Sequence, residues 1–222
     1  MNSNISIDNA LTQTADTQAS ISPQMAIDLL KAGNDRFTSN QPLNRGLGDQ
    51  VSQTATGQYP YACILSCIDS RIPTEIVFDQ GVGDIFNARV AGNFVNVDIL
   101  GSMEFACAAA GSKLIVVMGH TSCGAVKGAC DHVELGNLTA MLDKIMPAVD
   151  SIETNPGEDR SSKNMEFVNR VSKKNVELTI QNIHNDSPVL KEMCDKGTIE
   201  IVGAMYDVKT GKVSFYSNDV PA

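Results

Sequence analysis

Residues 113–119 read Lys-Leu-Ile-Val-Val-Met-Gly, and this stretch limits the fold more than any other. Leu114 to Met118 is the longest run of large apolar residues in the chain. It falls far short of the ~20 residues that a membrane span needs. It also lacks the apolar–polar alternation of a strand wetted on one face. Such a run suits a strand buried on both faces, and sheets built from such strands are mostly parallel and covered by helices.

The flanking sequence fits that frame. Strands are predicted at 60–67, 84–90, 113–119, 198–208 and 212–217. Helical patterns fall between them. One opens at Ser22-Pro23, a cap followed by a proline at the first helical position, and carries Met25, Leu29, Leu30 and Phe37 on one stripe. Others are predicted at 73–78, 97–110, after Cys123-Gly124, at 137–152, along a long amphipathic stretch from Met165 to Ile183, and from Ser187-Pro188. Residues 38–58 and 155–162 read as loops, the first broken by Pro42, Gly46, Gly48 and Gly57. The alternation predicts an α/β fold, a mostly parallel sheet with helices on both faces. A turn at Lys209-Thr210-Gly211 adds an antiparallel edge strand. Residues 22–222 are read as a single domain, and the polar stretch 1–21 as a mobile N-terminal arm.

The chain has 222 residues, 42% hydrophobic and 19% charged, with a formal net charge of −9. That charge disfavours nucleic acid or an anionic membrane as partner, because both reward clustered lysine and arginine. The N-terminal stretch shows neither a basic segment nor an apolar one, so no signal peptide is visible. Cytoplasmic is the expected location, with periplasmic open if a leader has been removed.

Six cysteines are too few for a disulfide scaffold of this length. Cys63, Cys107 and Cys194 sit in apolar or helical settings and read as small buried hydrophobes. Cys67 and Cys123 have polar company. Cys67 ends the first strand and is followed by Asp69 and Arg71. His120 ends the third strand, and Cys123 stands three residues on, at a helix start. In open α/β sheets ligands collect outside the carboxyl ends of strands at a switch point. Two thiolates and one imidazole brought there form a Zn²⁺ ligand set with one position open, as in catalytic sites. Asp69 could then meet the open position, oriented by Arg71. The other readings are a Cys67–Cys123 disulfide, a closed structural zinc site, and an ordinary ion pair at a helix start. His132 and His184 read as surface residues.

The chain also resembles the β-class carbonic anhydrases from about residue 22 to 217. The resemblance rests on "CIDSRIPTEIVFDQGVGDIFNARVAGN" at 67–93 and "GHTSCGAV" at 119–126. It implies that Cys67, His120 and Cys123 hold one Zn²⁺ per subunit and that Asp69 and Arg71 form the catalytic dyad, with Asp69 a fourth ligand in a closed state. It implies reversible hydration of CO₂ to bicarbonate through zinc-bound hydroxide. The assembly it implies is a homodimer or a dimer-of-dimers tetramer, with the first helix embracing the neighbour. Gln58 matches a pocket glutamine that holds CO₂ or bicarbonate, and Phe86 matches a pocket aromatic. Phe105 stands where many members carry tyrosine, so a role for that hydroxyl is lost. Ile64 stands where bicarbonate-regulated members carry tryptophan. Arg89 matches a basic residue of that regulatory site, or pairs within the core. An always-open form is therefore expected. The alternatives are a COS or CS₂ hydrolase on the same scaffold and a non-catalytic zinc protein that senses redox state or bicarbonate.

Overall fold

The computed structural model describes residues 8–216. Five strands form one sheet: β1 (Ala62–Ser66), β2 (Ile85–Arg89), β3 (Leu114–His120), β4 (Glu200–Tyr206) and β5 (Val213–Tyr216), in the order β2-β1-β3-β4-β5. The first three pairings are parallel, and β4 with β5 is antiparallel. The expected fold class is the observed one. After β2 the chain crosses back over β1 to lay down β3, so the strand order reverses between β1 and β3. That is the switch point where ligands collect.

Every residue of β1 and β3 is buried, which the unbroken apolar run at 114–118 requires. Their side chains alternate between two hydrophobic clusters. Ile64, Val116 and Met118 pack on one face with Leu30, Phe78 and Phe167. Cys63, Leu65, Ile115 and Val117 pack on the other with Met103, Ile180 and Leu190. Each large side chain so buried contributes about 1.5–3 kcal/mol. Gly119 lets a helix approach closely. A Cβ there would meet Val176 Cγ2 and Met205 Sδ at 2.8 Å, one residue before His120.

Ten helices of the described residues cover the sheet: α1 (Ala15–Ser20), α2 (Pro23–Thr38), α3 (Leu47–Thr54), α4 (Thr74–Val77), α5 (Val97–Glu104), α6 (Gly124–Cys130), α7 (Gly136–Leu142), α8 (Met146–Ser151), α9 (Met165–Asp186) and α10 (Pro188–Asp195). Their starts follow local chemistry. Ser22 accepts from Met25 N–H at 3.2 Å, Asn96 from Ile99 N–H at 2.9 Å, and Asn164 from Phe167 N–H at 3.2 Å. None of the described helices is long and apolar enough to cross a membrane.

Four expectations change. The arm expected at 1–21 carries a helix in its described part. Thr14 and Thr17 form a capping box for α1, and the buried Gln18 amide donates to Pro60 O and Ala110 O, both at 2.8 Å. Residues 1–7 of that arm lie outside the described residues. The loop expected at 38–58 contains α3, because Gly46 caps the helix and Gly48 faces open space. The helix expected at 97–110 ends in a π-helical turn at Phe105–Ala109. The helix expected at 137–152 is two, since Pro147 lacks the N–H that would carry α7 into α8.

Candidate metal centre

β1 delivers Cys67 and β3 delivers His120 on either side of the switch point. A two-residue turn then places Cys123 at the start of α6. Ser122 turns through a left-handed conformation, φ 57°, and its N–H is held by Asn169 Oδ1 at 3.1 Å. The three side chains are buried, and their donor atoms all lie within 4.8 Å of one another. Among the described residues this is the group of histidine, cysteine and acidic side chains with metal-binding geometry.

The histidine presents one free ring nitrogen to the two sulfurs. Its Nδ1 sits 2.9 Å from Thr121 O. A carbonyl can only accept, so Nδ1 carries the proton and Nε2 presents a bare lone pair. Nε2 is buried with no hydrogen-bond partner. The two sulfurs face each other. Cys67 is held well below an ordinary thiol, chiefly by the S–H of Cys123 and also by Gly92 N–H at 3.4 Å. Cys123, as donor to Cys67 and buried, is pushed up. An orphan imidazole nitrogen beside two sulfurs is the donor set of a borderline-soft cation. Zinc spaces such donors about 3.6–3.8 Å apart in a tetrahedral site, within the observed limit. The residues present therefore fit zinc. Cys67 and Cys123 are both free, which removes the disulfide reading.

Asp69 stands next to this triad. Its Oδ2 is 3.9 Å from His120 Nε2. Arg71 grips the carboxylate with Nε on Oδ1 at 2.9 Å, Nη2 on Oδ2 at 2.7 Å and its backbone N–H on Oδ1 at 3.0 Å. The Arg71 hydrogen bonds hold Asp69 well below the usual carboxylate range. Arg71 Nη2 also reaches Ser122 O at 3.4 Å, linking the two turns. A cavity of about 300 Å³ opens on Cys67 and Asp69, walled by Ala91, Ala125, Leu138 and Met141. Its lining is apolar apart from these two side chains.

The other expected residues are elsewhere. Phe86 and Phe105 do meet, edge to face, with ring centres 6.0 Å apart. They line a different cavity, of about 590 Å³, floored by Cys63 and flanked by Asn87 and Val97. Gln58 is exposed between α3 and β1. Within one chain none of the three faces the cavity at Asp69. Ile64 is fully buried in the core. Arg89 donates to the backbone carbonyls of Cys67 and Asp69. His132 is exposed and His184 half-buried, both away from the triad. Sequence reasoning missed Asn169 and Tyr206. Tyr206 pairs with His120 in the β3–β4 register, a relation that only the folded sheet reveals.

Fold and site together define an α/β protein with a two-sulfur, one-nitrogen metal triad at the switch point of a parallel sheet. The carbonic anhydrase family model matches residues 62–213. Carbonic anhydrase 2 of Mycobacterium tuberculosis is 34% identical over 196 residues, covering 86% of this chain and 91% of that protein. The carbonic anhydrase of Mycolicibacterium smegmatis is 33% identical over 202 residues, covering 88% and 94%. A β-carbonic anhydrase from Aspergillus fumigatus superimposes with a TM-score of 0.67 at 24% identity, over 89% of this chain and 92% of that one. A tetrameric β-carbonic anhydrase from Sordaria macrospora gives 0.64 at 25% identity, over 77% and 90%. The chain belongs to the carbonic anhydrase family, in its β class.

Proposed function

We propose that this carbonic anhydrase hydrates CO₂ reversibly to bicarbonate and a proton, with zinc held by Cys67, His120 and Cys123. The observation that carries the reading is the convergence of that buried triad with an Asp69 carboxylate locked to Arg71. Zinc bound there supplies Lewis acidity, making a water molecule acidic enough to be a nucleophile near neutral pH.

The chain's own groups then do four things. His120, with Nδ1 spent on Thr121 O, offers Nε2 alone as ligand. Arg71 keeps Asp69 ionised, so Asp69 does not hold a proton of its own at neutral pH. It accepts a hydrogen bond at Oδ2 from the attacking water and thereby turns the oxygen lone pair toward the cavity. The apolar wall of Ala91, Ala125, Leu138 and Met141 suits a small molecule without charge.

Asp69 paired with Arg71 supports the always-open form, with the fourth position left to solvent rather than to Asp69. Gln58, Phe86 and Phe105 serve the substrate pocket only if a second copy carries them over the metal. The exposure of Gln58 and of Phe105, the latter 58% accessible, supports a homodimer or a tetramer of dimers. The Sordaria macrospora relatives are tetrameric. Stopped-flow CO₂ hydration on protein of measured zinc content tests the activity, with COS assayed beside it. Activity that scales with zinc supports the reading, and turnover of COS without CO₂ overturns it.

A further inference from the structure

The Asp69–Arg71 pair has a mechanical weakness. Both residues belong to the same short turn, so their bond fixes each relative to the other. It fixes neither relative to the triad. The turn's own backbone bonds, Ile72 N–H to Asp69 O at 3.2 Å and Arg71 N–H to Asp69 Oδ1, are also internal. The direct tie from Arg71 to Ser122 O is long, at 3.4 Å.

Three alternate carbonyl oxygens of this turn, those of Cys67, Asp69 and Arg71, accept hydrogen bonds from side chains outside it. Arg89, the last residue of β2, donates Nε to Cys67 O at 2.9 Å and Nη2 to Asp69 O at 2.7 Å. Tyr206, the last residue of β4, donates its hydroxyl to Arg71 O at 3.3 Å. β2 and β4 lie on opposite sides of the β1–β3 pair. The turn is therefore gripped from both directions across the sheet. Neither side chain lines the cavity at Asp69.

We propose that Arg89 and Tyr206 are positioning residues that anchor the 67–71 turn through its alternate carbonyls, setting where the Asp69 carboxylate stands against His120 Nε2. Arg89 carries the larger share, because it makes two charge-assisted bonds where Tyr206 makes one neutral one. The proposal rests on the role given to Asp69 above.

The test compares Arg89→Met, Arg89→Lys and Tyr206→Phe in the zinc-loaded protein. Two readouts are taken: kcat and KM for CO₂, and amide hydrogen exchange at residues 68–72 against the rest of the sheet. Arg89→Met should keep its zinc, lose kcat roughly 10- to 100-fold with little change in KM, and exchange faster at 68–72 alone. Arg89→Lys, which reaches one carbonyl, should recover part of the loss. Tyr206→Phe should move both readouts the same way by a smaller factor. Unchanged exchange at 68–72 in both Arg89→Met and Tyr206→Phe overturns the proposal. So does exchange that rises equally across the whole sheet. If Arg89→Met does not fold, Tyr206→Phe decides, since it removes one oxygen and keeps the ring. A wild-type protein without CO₂ hydration would sink the activity reading, while the exchange comparison would still decide the anchor.

Discussion

Arg71 holds Asp69 in a two-pronged grip, Nε to Oδ1 at 2.9 Å and Nη2 to Oδ2 at 2.7 Å, with Oδ2 left facing His120 Nε2 at 3.9 Å. The grip makes Asp69 a permanent acceptor rather than a group that takes and returns protons. That distinction separates the first two predictions, one about chemistry without metal loss and one about metal itself.

Asp69→Asn keeps the shape of the side chain and removes its charge. Zinc should stay bound, since Asp69 is outside the triad. CO₂ hydration should fall roughly 10²-fold or more, the usual cost of losing the group that orients the reacting atom. Metal analysis and stopped-flow rates on one preparation check both halves. Full activity would show that Asp69 does not orient the attacking water.

Cys123→Ala removes a sulfur from the triad and the hydrogen bond that holds Cys67 low. Zinc content should drop well below the wild type's, and activity should drop with it. Zinc held by the folded chain through this triad would raise the wild-type melting temperature when added, and the variant's should not move. Metal content by emission spectrometry and melting curves with and without zinc provide the measurement.

Asp84 gives a pH prediction far from the metal. It is 1% exposed, accepts from Gly81 N–H at 2.7 Å through Oδ2, and leaves Oδ1 unpartnered. Burial pushes its carboxyl up from 3.8 to about 6. A carboxyl raised on folding contributes stability that is complete below its unfolded pKa and is lost as pH climbs through the folded one. The wild type should therefore lose stability between pH 3.8 and about 6 on this group's account. Asp84→Asn keeps an acceptor for Gly81 and cannot ionise. It should match the wild type near the bottom of that window and exceed it by about 1–3 kcal/mol above it. Urea unfolding of both proteins across the window is the check, and a difference that stays flat with pH contradicts it.

Gln18 tests the helical part of the N-terminal segment. Its amide serves two carbonyls, Pro60 O and Ala110 O, at 2.8 Å each. Gln18→Ala should leave Ala110 O without this donor, while Ser112 Oγ still serves Pro60 O at 2.9 Å. A loss of about 1–3 kcal/mol in urea unfolding is expected. An unchanged midpoint would mean that α1 does not dock in solution.

Much of this fold was legible because its signals are local. The run at 114–118 suits a doubly buried strand, and Ser22-Pro23 marks a helix start by its own side chains. The triad was legible because strand ends and a switch point follow from strand order. What escaped the sequence depends on distant contact. Polar Gln18 reads as solvent-exposed until two carbonyls from other segments are found around it. Gly46 and Gly48 read as breakers until α3 is seen docked through Gln50, whose Oε1 accepts from Val82 N–H at 3.0 Å. Within one chain Phe86 and Phe105 line a cavity apart from the triad, because Phe86 pairs with Cys63 in the β1–β2 register, four residues before Cys67, so the pocket role expected of them rests on a second copy that no single sequence shows.

X-ray absorption at the zinc edge of the metal-loaded wild-type protein tests the central claim most directly. Two sulfurs at about 2.3 Å, one imidazole nitrogen at about 2.0–2.1 Å and one further light-atom donor are predicted. A zinc bound by no sulfur, or by more than two, would contradict the site built here from Cys67, His120 and Cys123.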